Sequence, residues 1–407
     1  MSLPGQGREA AGESFDEEGL YLDEEDIINE VPIDEEGRSS SPRRIVLISY
    51  CSRNLPDLEE DDNDGNDDDE EMDEVYAVAV SPTDVSLVAS GGKDDKGFLW
   101  KIGSLDGVLE LAGHSDTVCT VAFSSDGSLV ASGDLDGHIN VWNAVTRTFQ
   151  GTLDGSVSGF EWLKWHPRDN LIIAGSEDCN VWMWNTDDNF IRNTFAGHSS
   201  TVTCGDFTPD GKLICTGSDD ASLRIWDPRT AQSKHVIRGH GYHADGLTCL
   251  SITLDSQTVV SGSKDNSVHV VKINSGKKLY LTSTSCLQVV GSLVGHTSSV
   301  ECVGISPRYN WVATGGMDQK LVIWDLTHQS RRCDIPCMVG FLKVCRIRMH
   351  GWEGAVRIWD TLSGHCARTF NGHANIVQSL AISADGNCIV SVSTDWSARV
   401  FDISMFK

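Results

Sequence analysis

The stretch Gly197–Asp227, GHSSTVTCGDFTPDGKLICTGSDDASLRIWD, decides how the whole chain is read. It opens on Gly197-His198, closes on Trp226-Asp227, and carries Asp220 six residues before the tryptophan. The same frame returns along the chain. Trp100, Trp142, Trp184 and Trp226 each stand 42 residues from the next, and Val271, Trp324, Trp359 and Phe401 hold the position in later units. Asp94, Asp136, Asp178, Asp220, Asp265, Asp318, Glu353 and Asp395 lie six residues before these markers. His114, His198, His296 and His373 precede Asp136, Asp220, Asp318 and Asp395 by a constant 22 residues. Gly239-His240 fits the frame with its step lengthened to 25 by Gly241–Gly246. Self-similarity at about 40–45 residues predicts a β-propeller of four-stranded blades.

The spacing has a mechanical origin. After His114, the strand-like runs Val118–Phe123 and Leu129–Ser132 are joined by the turn Ser125-Asp126-Gly127, and Ile139–Trp142 follows Asp136. Such runs form a β-meander. Each histidine and acid then meet at one end of the blade, linked through a strand Ser or Thr to the tryptophan N–H. His114, Asp136, Trp142, His198, Asp220, Trp226, His296, Asp318, Trp324, His373 and Asp395 are therefore expected to be structural. A pair that recurs blade after blade is scaffold, not an active site.

These residues, with Trp226-Asp227, Trp324-Asp325 and Trp359-Asp360, resemble the WD-repeat family over residues 75–407. The resemblance implies an all-β propeller of eight blades, or seven if one degenerate unit collapses. Blade three lacks the Gly-His pair and carries Gly155–Gly159 in its place, followed by the aromatics Phe160, Trp162 and Trp165. Lys277–Leu293 reads as a long loop between blades five and six. The unit near residues 327–360 is short: Trp324 to Trp359 spans 35 residues, and Cys333–His350 has no alternating inner strand. The loss matches about one strand and predicts an irregular blade. The chain ends just after Phe401-Asp402, so a closing strand must come from elsewhere; Ile45–Tyr50 is the one β-like run before residue 75 and is the candidate.

The formal charge of −27 is unevenly placed. Residues 1–74 hold 26 Asp/Glu against five Arg, or −21, which leaves the propeller at −6. The block Asp57–Glu74 repels itself, so residues 1–74 read as a disordered acidic tail. In Tyr21–Gly37 (YLDEEDIINEVPIDEEG) the acids alternate with Leu22, Ile27, Ile28, Val31 and Ile33, a pattern suited to docking on a basic partner. The net negative charge disfavours direct nucleic-acid binding. Met1–Ser14 has no apolar core for a signal peptide, and no apolar run reaches spanning length. The 13 cysteines fall mostly in predicted strands as small apolar filler, and Cys333, Cys337 and Cys345 lack zinc-ligand spacing. The expectation is a cytoplasmic monomer, also able to work in the nucleus, with no cofactor, no metal and no enzyme activity.

Function then lies in binding. Asp116, Asp134, Glu161, Glu177, Asp219 and Glu301, with Trp162 beside Glu161, are expected near the end that carries the His–Asp ties. Acids around a channel would attract a basic peptide. Further motifs are Gly92–Trp100 (GKDDKGFLW), Glu161–Pro167 (EWLKWHP) and Trp182-Met183-Trp184. With the acidic tail they are similar to the angio-associated migratory cell protein family. That resemblance implies a chaperone or adaptor: related yeast proteins escort a newly made basic large-subunit ribosomal protein, and animal members are linked to cell migration. Two alternatives stand beside it. Trp226, Asp227 and Arg229 resemble the box of cullin-type ubiquitin-ligase substrate receptors, and a signalling scaffold for cell migration would need only the propeller.

Overall fold

The computed structural model describes residues 46–53, 74–156, 158–274, 289–306, 309–328, 330–336, 352–360, 363 and 365–406. The rest of the acidic tail, most of the expected long loop and residues 337–351 of the irregular unit lie outside the described residues. Strands Val75–Val80 through Ser330–Pro336 form six consecutive four-stranded meanders, blades one to six. A seventh, three-stranded meander (Val377–Ile382, Cys388–Ser393, Ala398–Asp402) forms the C-terminal blade. In each, the strands are called a to d from the axis outward. The a strands of blades one to six touch in order, and that of blade one, Val75–Val80, also meets the inner strand of the C-terminal blade.

Burial follows this geometry. A b strand is sandwiched between two blades, so both its faces are covered. Leu171–Ser176 and Thr258–Ser263 accordingly read as near-continuous small and apolar runs. The d strands turn outward, and Thr148–Leu153 begins with three exposed residues. Apolar clusters fill the seams between blades: Trp162, Ile173, Val181, Phe207, Ile214 and Trp226 join blades three and four. The a–b turns hold themselves by side-chain bonds, as where Thr208 Oγ1 donates to Asp210 at 2.7 Å and Gly211 takes φ +73°.

The short unit is built differently. Its two strands, Trp352–Asp360 and Cys366–His373, are joined by the N-terminal strand Val46–Arg53, with Val46 opposite Asp360 and Cys51 opposite Ala355. This sheet contains no inner strand among the described residues. It wedges between its neighbours through Trp359, which packs on Leu321 and Ile323 of blade six, and through Val356 and Ile358, which pack on Val377, Ile389 and Phe401. The N-terminal strand was expected beside the last strand of the ring. It forms, but on Trp352–Asp360, where among the described residues no other strand of the short unit pairs with Ala355, Val356 and Ile358 on that side. Among the described residues, Ala398–Asp402 has no fourth-strand neighbour.

Candidate functional site

The ties between His and Asp are best formed in blade four. His198 is buried with its Nδ1 3.0 Å from Asp220 and its Nε2 2.8 Å from the Thr216 hydroxyl. Trp226 Nε1 donates to the same hydroxyl at 2.8 Å. Burial is the largest influence on His198 and lowers its pKa against the opposing pull of Asp220, so the ring is neutral. Burial alone would raise the Asp220 carboxyl. Hydrogen bonds from His198, Ser222 and the Ser199 N–H outweigh it and hold the group well below the carboxylate range. A neutral ring facing a carboxylate carries its proton on Nδ1. Thr216 must then accept from Trp226 and donate to His198 Nε2. The chain of donors runs one way, from Trp226 through Thr216 and His198 to Asp220. Blade six repeats it with Trp324, Thr314, His296 and Asp318. In the C-terminal blade, His373 ties Asp395 to Ser391.

Two ties differ from the sequence reading. In blade five the histidine is His243, 22 residues before Asp265 and 3.2 Å from it, and not His240. The turn at Gly239–Tyr242 is simply an insertion ahead of an ordinary tie. In blade two His114 Nδ1 lies 2.8 Å from Asp134, and the expected partner Asp136 is exposed and takes the Ser115 hydroxyl. Asp134 occupies the place where blades four and five have Ser218 and Ser263. Its longer acidic side chain reaches the imidazole first. It is fully buried and so is structural, not a surface acid. Ser132 accompanies His114 at 2.7 Å, yet Trp142 Nε1 finds no hydrogen-bond partner among the described residues and the ring lies 4.8 Å from Phe149 instead. Blade three replaces histidine by Ser156, bonded to Ser176 and Asp178.

At this end the second residue of each a strand holds an equivalent place. Register slips there in blades one, two, three, five and six and in the C-terminal blade, marking a bulge. The bulge residues are Tyr76, Cys119, Glu161, Thr248, Glu301 and Gln378, and Thr203 is their counterpart in blade four. Several act as straps. Cys119 Sγ reaches the Phe160 carbonyl of blade three at 3.1 Å, Thr203 Oγ1 reaches that of Leu247 at 2.5 Å, and Thr248 Oγ1 that of Val300. A carboxylate cannot donate such a bond. Glu161 is tolerated because Trp162, one residue on, does the work: its Nε1 donates to the Val202 carbonyl at 2.9 Å. Trp162 is therefore a seam residue, buried to 8% exposure, and not a surface contact. Room for its indole comes from Gly175 and Gly205, where a Cβ would stand 2.3 Å and 2.2 Å from ring atoms. Glu301 sits where the next sheet has no described inner strand, and among the described residues no carbonyl of that sheet takes a strap. Ser299 Oγ donates to it at 2.5 Å. Blades two, four and five thus carry a donor at this position, and blades three and six carry a carboxylate.

Further acids extend this rim. Glu177 is exposed in the b–c turn of blade three, and Asp116 is half-buried with its carboxylate on the Thr117 N–H. Asp219 pairs with Lys264 at 2.7 Å, which offsets part of its charge. Asp136 and Asp245 belong with them. Asp245 stands two residues after His243 as Asp116 stands two after His114, an equivalence hidden when His240 is taken as the tie. These acids fall in blades two to five, and Glu301 in blade six. At the opposite end Trp226 is buried, Asp227 receives the Arg229 N–H at 3.0 Å and pairs with Lys234, and the Arg229 side chain is exposed. Among the described residues no cluster could hold a metal, and no helix is long and apolar enough to cross a membrane.

Meanders around an axis, pinned by His–Asp ties, define the WD-repeat class, and the WD domain, G-beta repeat family matches residues 106–143, 145–185, 190–227, 231–272, 287–325 and 364–402. The matched unit is a repeat scaffold; no catalytic family is indicated. The angio-associated migratory cell protein of Homo sapiens is 31% identical over 337 residues, covering 80% of this chain and 77% of that protein. The chain belongs to the angio-associated migratory cell protein family of WD-repeat proteins. A ribosome biogenesis protein WDR12 homolog of Oryza sativa subsp. japonica is 27% identical over 185 residues, 44% of this chain and 38% of that protein. The crystal structure of Sqt1 from Chaetomium thermophilum superposes with a TM-score of 0.69 at 21% identity, covering 83% of this chain and 98% of that one, a likeness of fold.

Proposed function

We propose that the chain is a non-enzymatic scaffold that captures a basic protein segment at the acidic mouth, as a chaperone or adaptor for a basic large-subunit ribosomal protein. The observation that carries this reading is the pair Glu161 and Glu301: carboxylates at equivalent bulge positions, where blades two, four and five carry the donors Cys119, Thr203 and Thr248. Carboxylates at a channel mouth are suited to steering a cationic ligand. The likeness to a protein named for ribosome biogenesis supports the client class. In this reading the sheet holding Val46–Arg53 serves as an eighth wedge that completes the ring, and the protein works as a monomer in the cytoplasm and nucleus. Affinity purification from dividing cells, with the full chain and with the Glu161→Lys/Glu301→Lys variant, tests it. One basic ribosomal protein should dominate the first and be lost from the second. A client list that the double variant leaves unchanged would count against it.

A further inference from the structure

A groove of about 660 Å³ lies between blades three and four, on the face opposite the acidic mouth. Its apolar floor is small, Leu171 with the buried Met183 and Pro228, among mostly polar lining residues. Arg168 and Lys212, on the a–b turns, and Arg229, on a c–d turn, stand around it. The acids within it are already engaged, Asp210 with Lys212 at 3.3 Å and Asp169 with His166 at 3.2 Å. Arg192 is held by Asp188 at 2.6 Å. No described residue pairs with the side chain of Arg168 or Arg229, and both are exposed. On a propeller of net charge −6, two uncommitted guanidinium groups flanking an apolar floor select a particular ligand: an extended segment with apolar anchors between carboxylates.

The chain itself contains such a segment. Residues 21–37, YLDEEDIINEVPIDEEG, place Ile27, Ile28, Val31 and Ile33 among eight acids, Asp23–Asp26, Glu30 and Asp34–Glu36. We propose that this groove is the docking site of the chain's own segment 21–37. The other acidic block, Asp57–Glu74, is a poorer fit on two counts. It offers almost no apolar anchor, and both its ends are fixed, because it joins Val46–Arg53 on the short unit's sheet to blade one. Segment 21–37 is tied only at its C-terminal side. The 12 residues from Asp34 to Ile45 give Ile33 a reach of about 45 Å from Val46 when extended. Docking there holds the acids away from the mouth, where they would compete with it for a cationic client. The inference does not depend on which client the mouth takes.

Zero-length carbodiimide coupling of the full chain, followed by peptide mass spectrometry, tests the proposal. Lys212 should couple to a carboxylate within residues 21–37. The link should fall at least fivefold in Arg168→Glu/Arg229→Glu, whose exposed positions leave the fold intact, and likewise in Ile27→Ser/Ile28→Ser. In a mixture of isotopically light and heavy chains it should stay within one isotope. Coupling of Lys212 only to other segments, a 21–37 link that survives both double variants, or a link between isotopes would each overturn docking of the chain's own segment.

Discussion

Replacing Thr216 by Val keeps the shape of the side chain and removes one hydroxyl. That hydroxyl lies 2.8 Å from both Trp226 Nε1 and His198 Nε2. Trp226 is 1% exposed and Thr216 fully buried, so water cannot replace it. The variant leaves a buried donor and a buried acceptor without partners. Each orphaned group costs about 1–3 kcal/mol, which gives about 2–6 kcal/mol for Thr216→Val. Ser132→Ala in blade two is the internal control. Ser132 bonds His114 at 2.7 Å, but Trp142 Nε1 is already without a partner, so one group is orphaned rather than two, for about 1–3 kcal/mol. Urea unfolding followed by tryptophan fluorescence should show the blade-four variant losing about twice as much as the blade-two variant. Equal losses, or a Thr216→Val cost below about 1 kcal/mol, would refute the one-way relay.

Two further outcomes follow from the geometry. Cys51 stands opposite Ala355, so the Ala355→Cys variant should form a disulfide between Cys51 and the introduced thiol on mild oxidation, found by mass spectrometry; a disulfide from Cys51 to the thiol of Val400→Cys instead would move the N-terminal strand to the C-terminal blade. His269 is buried 4.4 Å from His243, and burial followed by repulsion from that ring pushes its pKa down to about 4. The unfolded chain binds this proton more readily, with a pKa of about 6.5, so stability falls on acidification through that window, by about 2 kcal/mol between pH 7 and 5 at this site. His269→Gln should flatten the slope of denaturation midpoint against pH, and an unchanged slope would contradict the assignment.

Much of the fold was legible because the repeating residues are the ones that do the tying. His198, Asp220 and Trp226 can be read at fixed spacing since one meander has one length. What escaped was substitution of one residue's role by another. Asp134 looks like a surface acid until its blade-two geometry sets it on His114. Trp162 looks like an exposed aromatic until Gly175 and Gly205 open the seam for it. His240 carries the expected Gly-His signature, yet the tie is His243, because a turn inserted before the tie is invisible to a dipeptide. The bulge at Glu161 and Glu301 leaves no composition signal. Only the equivalence of the two positions could be seen, and the straps that explain it needed coordinates. The short unit announced a missing strand through its spacing but not that Val46–Arg53 would pair there.

The acidic mouth is tested most directly by titrating the purified full chain with a lysine-rich peptide over a salt series, beside Glu161→Lys/Glu301→Lys. Opposed charges at a mouth predict that affinity falls steeply as ionic strength rises. The double variant should bind at least tenfold more weakly at low salt and lose most of that salt dependence. Binding that ignores both salt and the two reversals would contradict the account.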